Sequence, residues 1–137
     1  MTRWLFVALL LLQAHFAASY LVPLDAQAQT AFGGLLPWAW PWAIGDRGPL
    51  GQMTSTGFPV KGFFLAVTAA GVLILASLAA MRIWVPFGWW RPLGIAGALM
   101  SLLLMFLFFG LTKLLPIGTA VVILAAGLNY WSPMATR

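Results

Sequence analysis

The amino-acid sequence predicts an all-α membrane protein with four transmembrane helices and one long aromatic extracytoplasmic loop. Of the 137 residues, 63% are hydrophobic and 7% are charged, whereas a soluble domain is about 45–50% apolar and about 25% charged. The charged residues leave four uncharged apolar stretches of 18 to 21 residues, and about 20 helical residues cross a hydrocarbon core of about 30 Å. Because these stretches are continuous and not alternating, they exclude a transmembrane barrel.

The four helices are predicted at about 4–22, 62–81, 92–112 and 114–131, with a loop at 23–61, in a single membrane domain covering 1–137. The first stretch has an alternative interpretation as a secretory signal, with Arg3 as its basic region and Ala26-Gln27-Ala28 as a small-residue cleavage site. This uncharged stretch is 19 residues long and exceeds the usual apolar region of a signal, which has about 7–15 residues. We therefore expect it to be retained as a membrane helix.

Basic residues predict the orientation of the helices, and basic residues and prolines predict where the helices end. Four arginines lie at the ends predicted to be cytoplasmic, together with both chain termini: Arg3, Arg82, Arg91 and Arg137. The other side carries Arg47, Lys61 and Lys113. Pro92 and Pro116 suit first helical turns, where a missing N–H costs nothing. Residues 84–92 are predicted to form an interfacial turn.

The long loop contains an uncharged stretch at 31–44, which at 14 residues is too short to span a membrane. Trp38, Trp40 and Trp42 lie within it. One interpretation places it on the membrane surface; another makes it a docking surface for a partner subunit or an apolar cofactor, and a third makes it re-entrant. Trp89 and Trp90 are the second pair of candidate docking residues.

His15, the only histidine, is the single candidate cofactor-binding residue. It is predicted near mid-membrane, where an ionisable residue is a functional candidate. A neutral imidazole could ligate the magnesium of a chlorophyll-type pigment or a haem iron. Alternatively, it hydrogen-bonds a neighbouring helix or Ser19. A quinone contact also stays open, although the sequence requires no cofactor, and no metal site is predicted.

Other polar and small residues within the spans predict helix packing. Gln13 is expected to hydrogen-bond another helix. The hydroxyls of Thr68, Ser77, Ser101 and Thr119 can return to carbonyls of their own helices. Small residues recur at four-residue spacing in Ala66 with Ala70, Ala76 with Ala80, and Gly94 with Ala98, which allows helices to approach closely.

Several functions are disfavoured by composition. The chain has no cysteine, which excludes disulfides, thiolate metal sites and cysteine nucleophiles. Its seven basic residues form no stripe suited to binding nucleic acid. No catalytic motif is present, so we expect a non-enzyme. Small four-helix multidrug transporters depend on a carboxylate in their first helix, which this chain lacks.

Because these functions are disfavoured, the leading hypothesis is a non-catalytic accessory subunit of a larger membrane complex, respiratory or photosynthetic. Lipid and other membrane subunits are then its partners. A pigment- or haem-binding subunit using His15 is the first alternative, and a small transporter or permease component is the second.

A local sequence resemblance indicates in which membrane the protein lies. The segment Trp89-Trp90-Arg91-Pro92-Leu93, followed by two apolar helices, resembles small four-helix bacterial integral membrane proteins. The resemblance covers the C-terminal third to half of the chain. It implies a bacterial inner membrane location, and it implies no activity and no site residues.

Overall fold

The computed structural model describes residues 3–21, 58–107 and 114–128, and in this part of the chain it is all-helical. The four helices are α1 (Arg3–Ala18), α2 (Phe58–Met81), α3 (Trp90–Leu107) and α4 (Leu114–Gly127). Short 3₁₀ turns follow α1 at Ser19–Leu21 and precede α3 at Phe87–Trp89. The predicted helical class is therefore confirmed for the described residues.

Three apolar helical segments are long enough to cross a membrane: Arg3–Leu21, Phe64–Met81 and Phe87–Leu107. These correspond to the first three predicted spans and make the chain compatible with an integral membrane protein. The helix α4 has 14 described residues, about 21 Å at 1.5 Å per residue, and is shorter than the helix predicted at 114–131. Residues 108–113 and 129–131 lie outside the described residues, as does 22–57, which holds most of the predicted loop.

The helices pack side by side around an apolar core. The helix α2 lies between α1 and α3, while α4 packs mainly on α3 and also touches α1. One buried cluster joins Phe6 and Leu10 of α1 to Leu73 of α2, Trp90 of α3 and Ile123 of α4. All four helices therefore share one core.

Small residues allow this close packing. Every alanine of the predicted small-residue pairs is buried: Ala66, Ala70, Ala76, Ala80 and Ala98. Gly94 is also buried, and a Cβ there would lie 3.8 Å from Ile123 Cγ2. Another close approach, between α2 and α3, is at Gly97, where a Cβ would lie only 2.6 Å from Leu73 Cγ. Gly97 belongs to none of the predicted small-residue pairs.

The turn between α2 and α3 begins with a helix C-cap of the Schellman type. The Arg82 N–H donates to Ala79 O at 3.0 Å, and the Ile83 N–H donates to Leu78 O at 2.9 Å, which is the pair of bonds that defines this cap. Arg82 adopts φ 63° and Trp84 adopts φ 60°. Glycine occupies such left-handed positions without steric cost, whereas other residues are strained there.

We expect Trp84→Gly to be more stable than Trp84→Ala by about 1 kcal/mol, because only glycine relieves the left-handed strain. The Trp84 side chain is 95% exposed, so both variants lose the same few contacts and the same indole anchor. The comparison of the two variants therefore isolates the backbone effect. Denaturation of the detergent-solubilised chain, followed by circular dichroism, measures it. Equal stability of the two variants would contradict the strain.

Candidate functional site

The most distinctive interior feature is a polar node formed by Gln13, Ser101, Met105 and Thr119. Gln13 Nε2 donates to Ser101 Oγ at 2.6 Å and lies 3.9 Å from Met105 Sδ. The Thr119 hydroxyl donates to Gln13 Oε1 and also lies 2.9 Å from Pro116 O. Gln13 and Ser101 are fully buried. One glutamine thus links α1 to both α3 and α4.

Helix geometry places the polar node at a common depth. Gln13 lies ten residues after Arg3, and Ser101 lies ten residues after Arg91, so each is about 15 Å along its helix from these arginines. Thr119 lies nine residues before Leu128, which directly follows the C-terminal residue of α4. The node is therefore close to mid-depth in the bundle, where unsatisfied polar groups cost most.

The polar node is a set of neutral hydrogen-bonding groups. Its amide uses both its nitrogen and its oxygen on neighbouring helices, and none of its members carries a charge. Such an arrangement can join helices, but it offers neither a general base nor a nucleophile paired with one. The expected interhelical bond of Gln13 is thus present, and Ser101 serves as its acceptor.

The hydroxyls of Thr68 and Ser77 bond within their own helix, as expected, and the Ser19 hydroxyl bonds the preceding turn. Thr68 donates to Phe64 O at 2.7 Å, and Ser77 donates to Ile74 O at 2.7 Å. Ser19 donates to Phe16 O at 2.6 Å. These hydroxyls are satisfied locally and do not extend the polar node.

His15 lies at the border between the core and the outer surface. Its side chain is half-buried, and its ring centroid is 6.4 Å from that of Phe16. Leu11 and Leu12, on the same helix, are exposed. Among the described residues, no group of three or more His, Cys, Asp or Glu side chains could hold a metal ion. The ligand role of His15 stays a prediction.

A second polar feature is the arginine end, formed by Arg3, Arg82 and Arg91 at one end of the bundle. Arg3 Nη2 donates to Met81 O at 2.8 Å, which ties the start of α1 to the end of α2. Each guanidinium also lies over an aromatic ring. The distances from Cζ to the ring centroid are 5.6 Å for Arg3 over Trp4, 4.9 Å for Arg82 over Phe87, and 5.9 Å for Arg91 over Trp90.

Of the candidate docking tryptophans, Trp89 and Trp90 lie within the described residues, and they differ in exposure. Trp89 is exposed, whereas Trp90 is buried, with its ring edge-to-face against Phe6 at 5.4 Å and 82°. Trp90 is therefore a core residue, and its indole is not available for docking a partner. Trp38, Trp40 and Trp42 lie outside the described residues. Their docking role and that of Trp89 stay predictions.

Comparisons with protein-family models, with curated proteins and with solved structures gave no match.

Proposed function

We propose that this chain is a non-catalytic accessory subunit of a larger membrane complex, with its helices embedded in the bilayer. The observation that carries the proposal is the outward surface of the bundle. A large apolar side chain on each helix is 59% to 75% exposed: Leu5 on α1, Phe64 on α2, Phe106 on α3 and Leu115 on α4. Surfaces of this kind require lipid or protein neighbours.

The interior supports the same proposal. The polar node uses its hydrogen-bonding groups between helices, in the way that polar side chains join helices within membranes. Its residues are buried, or almost so in the case of Thr119. The node therefore acts in this proposal as a structural link, and the outward apolar surface provides the contacts with partners.

We assign the complex to the energy-transducing class, respiratory or photosynthetic, because such assemblies recruit many small apolar subunits. The proposal also places the chain in a bacterial inner membrane, which rests on the resemblance carried by residues 89–93. Its orientation, with both termini cytoplasmic, rests on the arginine end. The alternative, a pigment- or haem-binding subunit, draws on the position of His15 beside the exposed Leu11 and Leu12. There a cofactor held by a neighbouring subunit could reach the imidazole.

Purification of the tagged chain from native membranes in a mild detergent tests the proposal. We expect it to elute within a larger complex whose other subunits are identified by mass spectrometry. A chain that elutes alone as a stable monomer would contradict the accessory role. A visible absorption band that follows the complex and disappears in His15→Leu would favour the alternative.

We expect the triple replacement of Trp38, Trp40 and Trp42 by serine to weaken this assembly while the chain still enters the membrane. Insertion depends on the apolar spans, whereas three indoles within five residues provide a compact apolar contact. Co-purification measures assembly, and a blot of the membrane fraction measures insertion. Trp84→Ser serves as the control, because Trp84 is an exposed indole that is not a candidate docking residue. Full retention of the partners in the triple variant would shift the docking role to the helix faces.

A further inference from the structure

We propose that the arginine end binds phosphate, in the form of an anionic phospholipid headgroup. The inference starts from the placement of three arginines at the same end of the bundle. Arg3 reaches the last residue of α2, Met81, and Arg82 follows directly. The rings of Phe87 and Trp90, which lie beneath Arg82 and Arg91, belong to the same apolar cluster as Phe6, one turn from Arg3. The cluster therefore lies beside the guanidinium groups of Arg82 and Arg91, and the bond to Met81 places that of Arg3 at the same end of the bundle.

These positive charges have no carboxylate partner among the described residues. The two acidic residues of the chain, Asp25 and Asp46, both lie outside them. Each guanidinium lies over a ring instead, and a ring face accepts none of the in-plane N–H donors. In Arg3 one of these donors, Nη2, is bonded to Met81 O. In Arg3, moreover, Nε is buried and has no hydrogen-bond partner in the described part of the chain.

The chemistry of a guanidinium favours a phosphate oxygen, because its planar fork of donors fits phosphate in a bidentate manner. The location favours phosphate carried by a lipid. Trp4, Trp84 and Trp89 lie at the same end with exposed rings, and indoles concentrate at the headgroup level of membranes. The apolar outer faces of the helices continue from there, so acyl chains attached to the bound phosphate have a surface to follow.

Lipid retention measured by native mass spectrometry tests the proposal. The chain is placed in nanodiscs of phosphatidylcholine mixed with phosphatidylglycerol, and the lipids that remain bound are counted. The double variant Arg82→Gln/Arg91→Gln is compared with Lys61→Gln, which removes one positive charge near the start of α2, at the other end of the bundle. We expect the double variant to lose phosphatidylglycerol affinity by about tenfold or more, because it removes two charge-assisted contacts. The Lys61→Gln control should retain it.

Two further arms separate the possible outcomes. Inorganic phosphate is titrated against the chain in neutral detergent, and binding as tight as that of phosphatidylglycerol would overturn the assignment to a lipid. A loss in the single variant Arg91→Gln equal to that in Lys61→Gln, one charge compared with one, would show diffuse attraction and overturn the site. Arg3 is left intact because it caps α2. If the double variant fails to fold, Arg91→Gln alone decides, since its loss of affinity supports the site and its full retention overturns it.

Discussion

Replacement of Gln13 by alanine is expected to lower the free energy of unfolding by about 2–4 kcal/mol, because it opens a cavity and removes the link between three helices. Gln13 is fully buried, so water cannot readily fill the space. Ser101 loses a donor and Thr119 loses an acceptor. Thr119 recovers in part, since its hydroxyl already lies 2.9 Å from Pro116 O.

Gln13→Leu separates the two contributions to this loss. Leucine restores most of the volume without the hydrogen bonds, so we expect a loss of only about 1 kcal/mol, close to the measured value of interhelical hydrogen bonds in membranes. Thr68→Ala is the control for hydroxyl removal, because Thr68 is exposed and bonds only its own helix. Unfolding of the solubilised chain in a denaturing detergent gives all four stabilities. A Gln13→Leu variant that is less stable than Gln13→Ala would contradict this account.

The position of Gln13 shows how far the sequence alone could reach. Its polarity within an apolar span predicts a bond to another helix, since lipid offers no partner. Its partners could not be predicted, because Ser101 and Thr119 are 88 and 106 residues away and helical periodicity fixes only the face of one helix. The neighbours on that face depend on how all four helices assemble.

Trp89 and Trp90 show a second limit of prediction from sequence, which concerns the direction of a side chain. Both lie beside a predicted interface, and composition alone assigns them the same role. The 3₁₀ turn Phe87–Trp89 sets the direction in which α3 starts, and Trp90 then meets Phe6 while Trp89 stays outside. A side-chain direction that depends on one turn and one distant contact is decided by tertiary packing. The arginine end, in contrast, follows from charges placed at predicted helix ends, although the Arg3 bond to Met81 does not.

The second prediction with a large expected effect concerns Gly97, where α2 and α3 approach closely. Gly97→Ala is expected to destabilise the fold by about 1–3 kcal/mol, because the added methyl overpacks a filled core. Its Cβ would lie 2.6 Å from Leu73 Cγ, 2.9 Å from Cδ2 and 3.4 Å from the Leu73 backbone nitrogen. Leu73 is fully buried, so its side chain has little room to move and the helices must separate.

Gly71→Ala is the matched control, because a Cβ at Gly71 meets nothing within 4 Å. In an exposed helix position alanine is preferred to glycine by about 1 kcal/mol, so this variant should be neutral or slightly more stable. The opposite signs at two helical glycines would separate crowding from helix propensity.

A double-mutant cycle that combines Gly97→Ala with Leu73→Ala identifies the source of the crowding. Leu73→Ala alone should cost about 2–5 kcal/mol, since it empties part of the core. In the double variant the methyl group introduced by Gly97→Ala enters space that the leucine has left. We therefore expect the double variant to be more stable than the sum of the single losses predicts, by about 1 kcal/mol. Strictly additive losses would mean that α2 and α3 do not meet through these two residues, and the contact at Gly97 would then need another explanation.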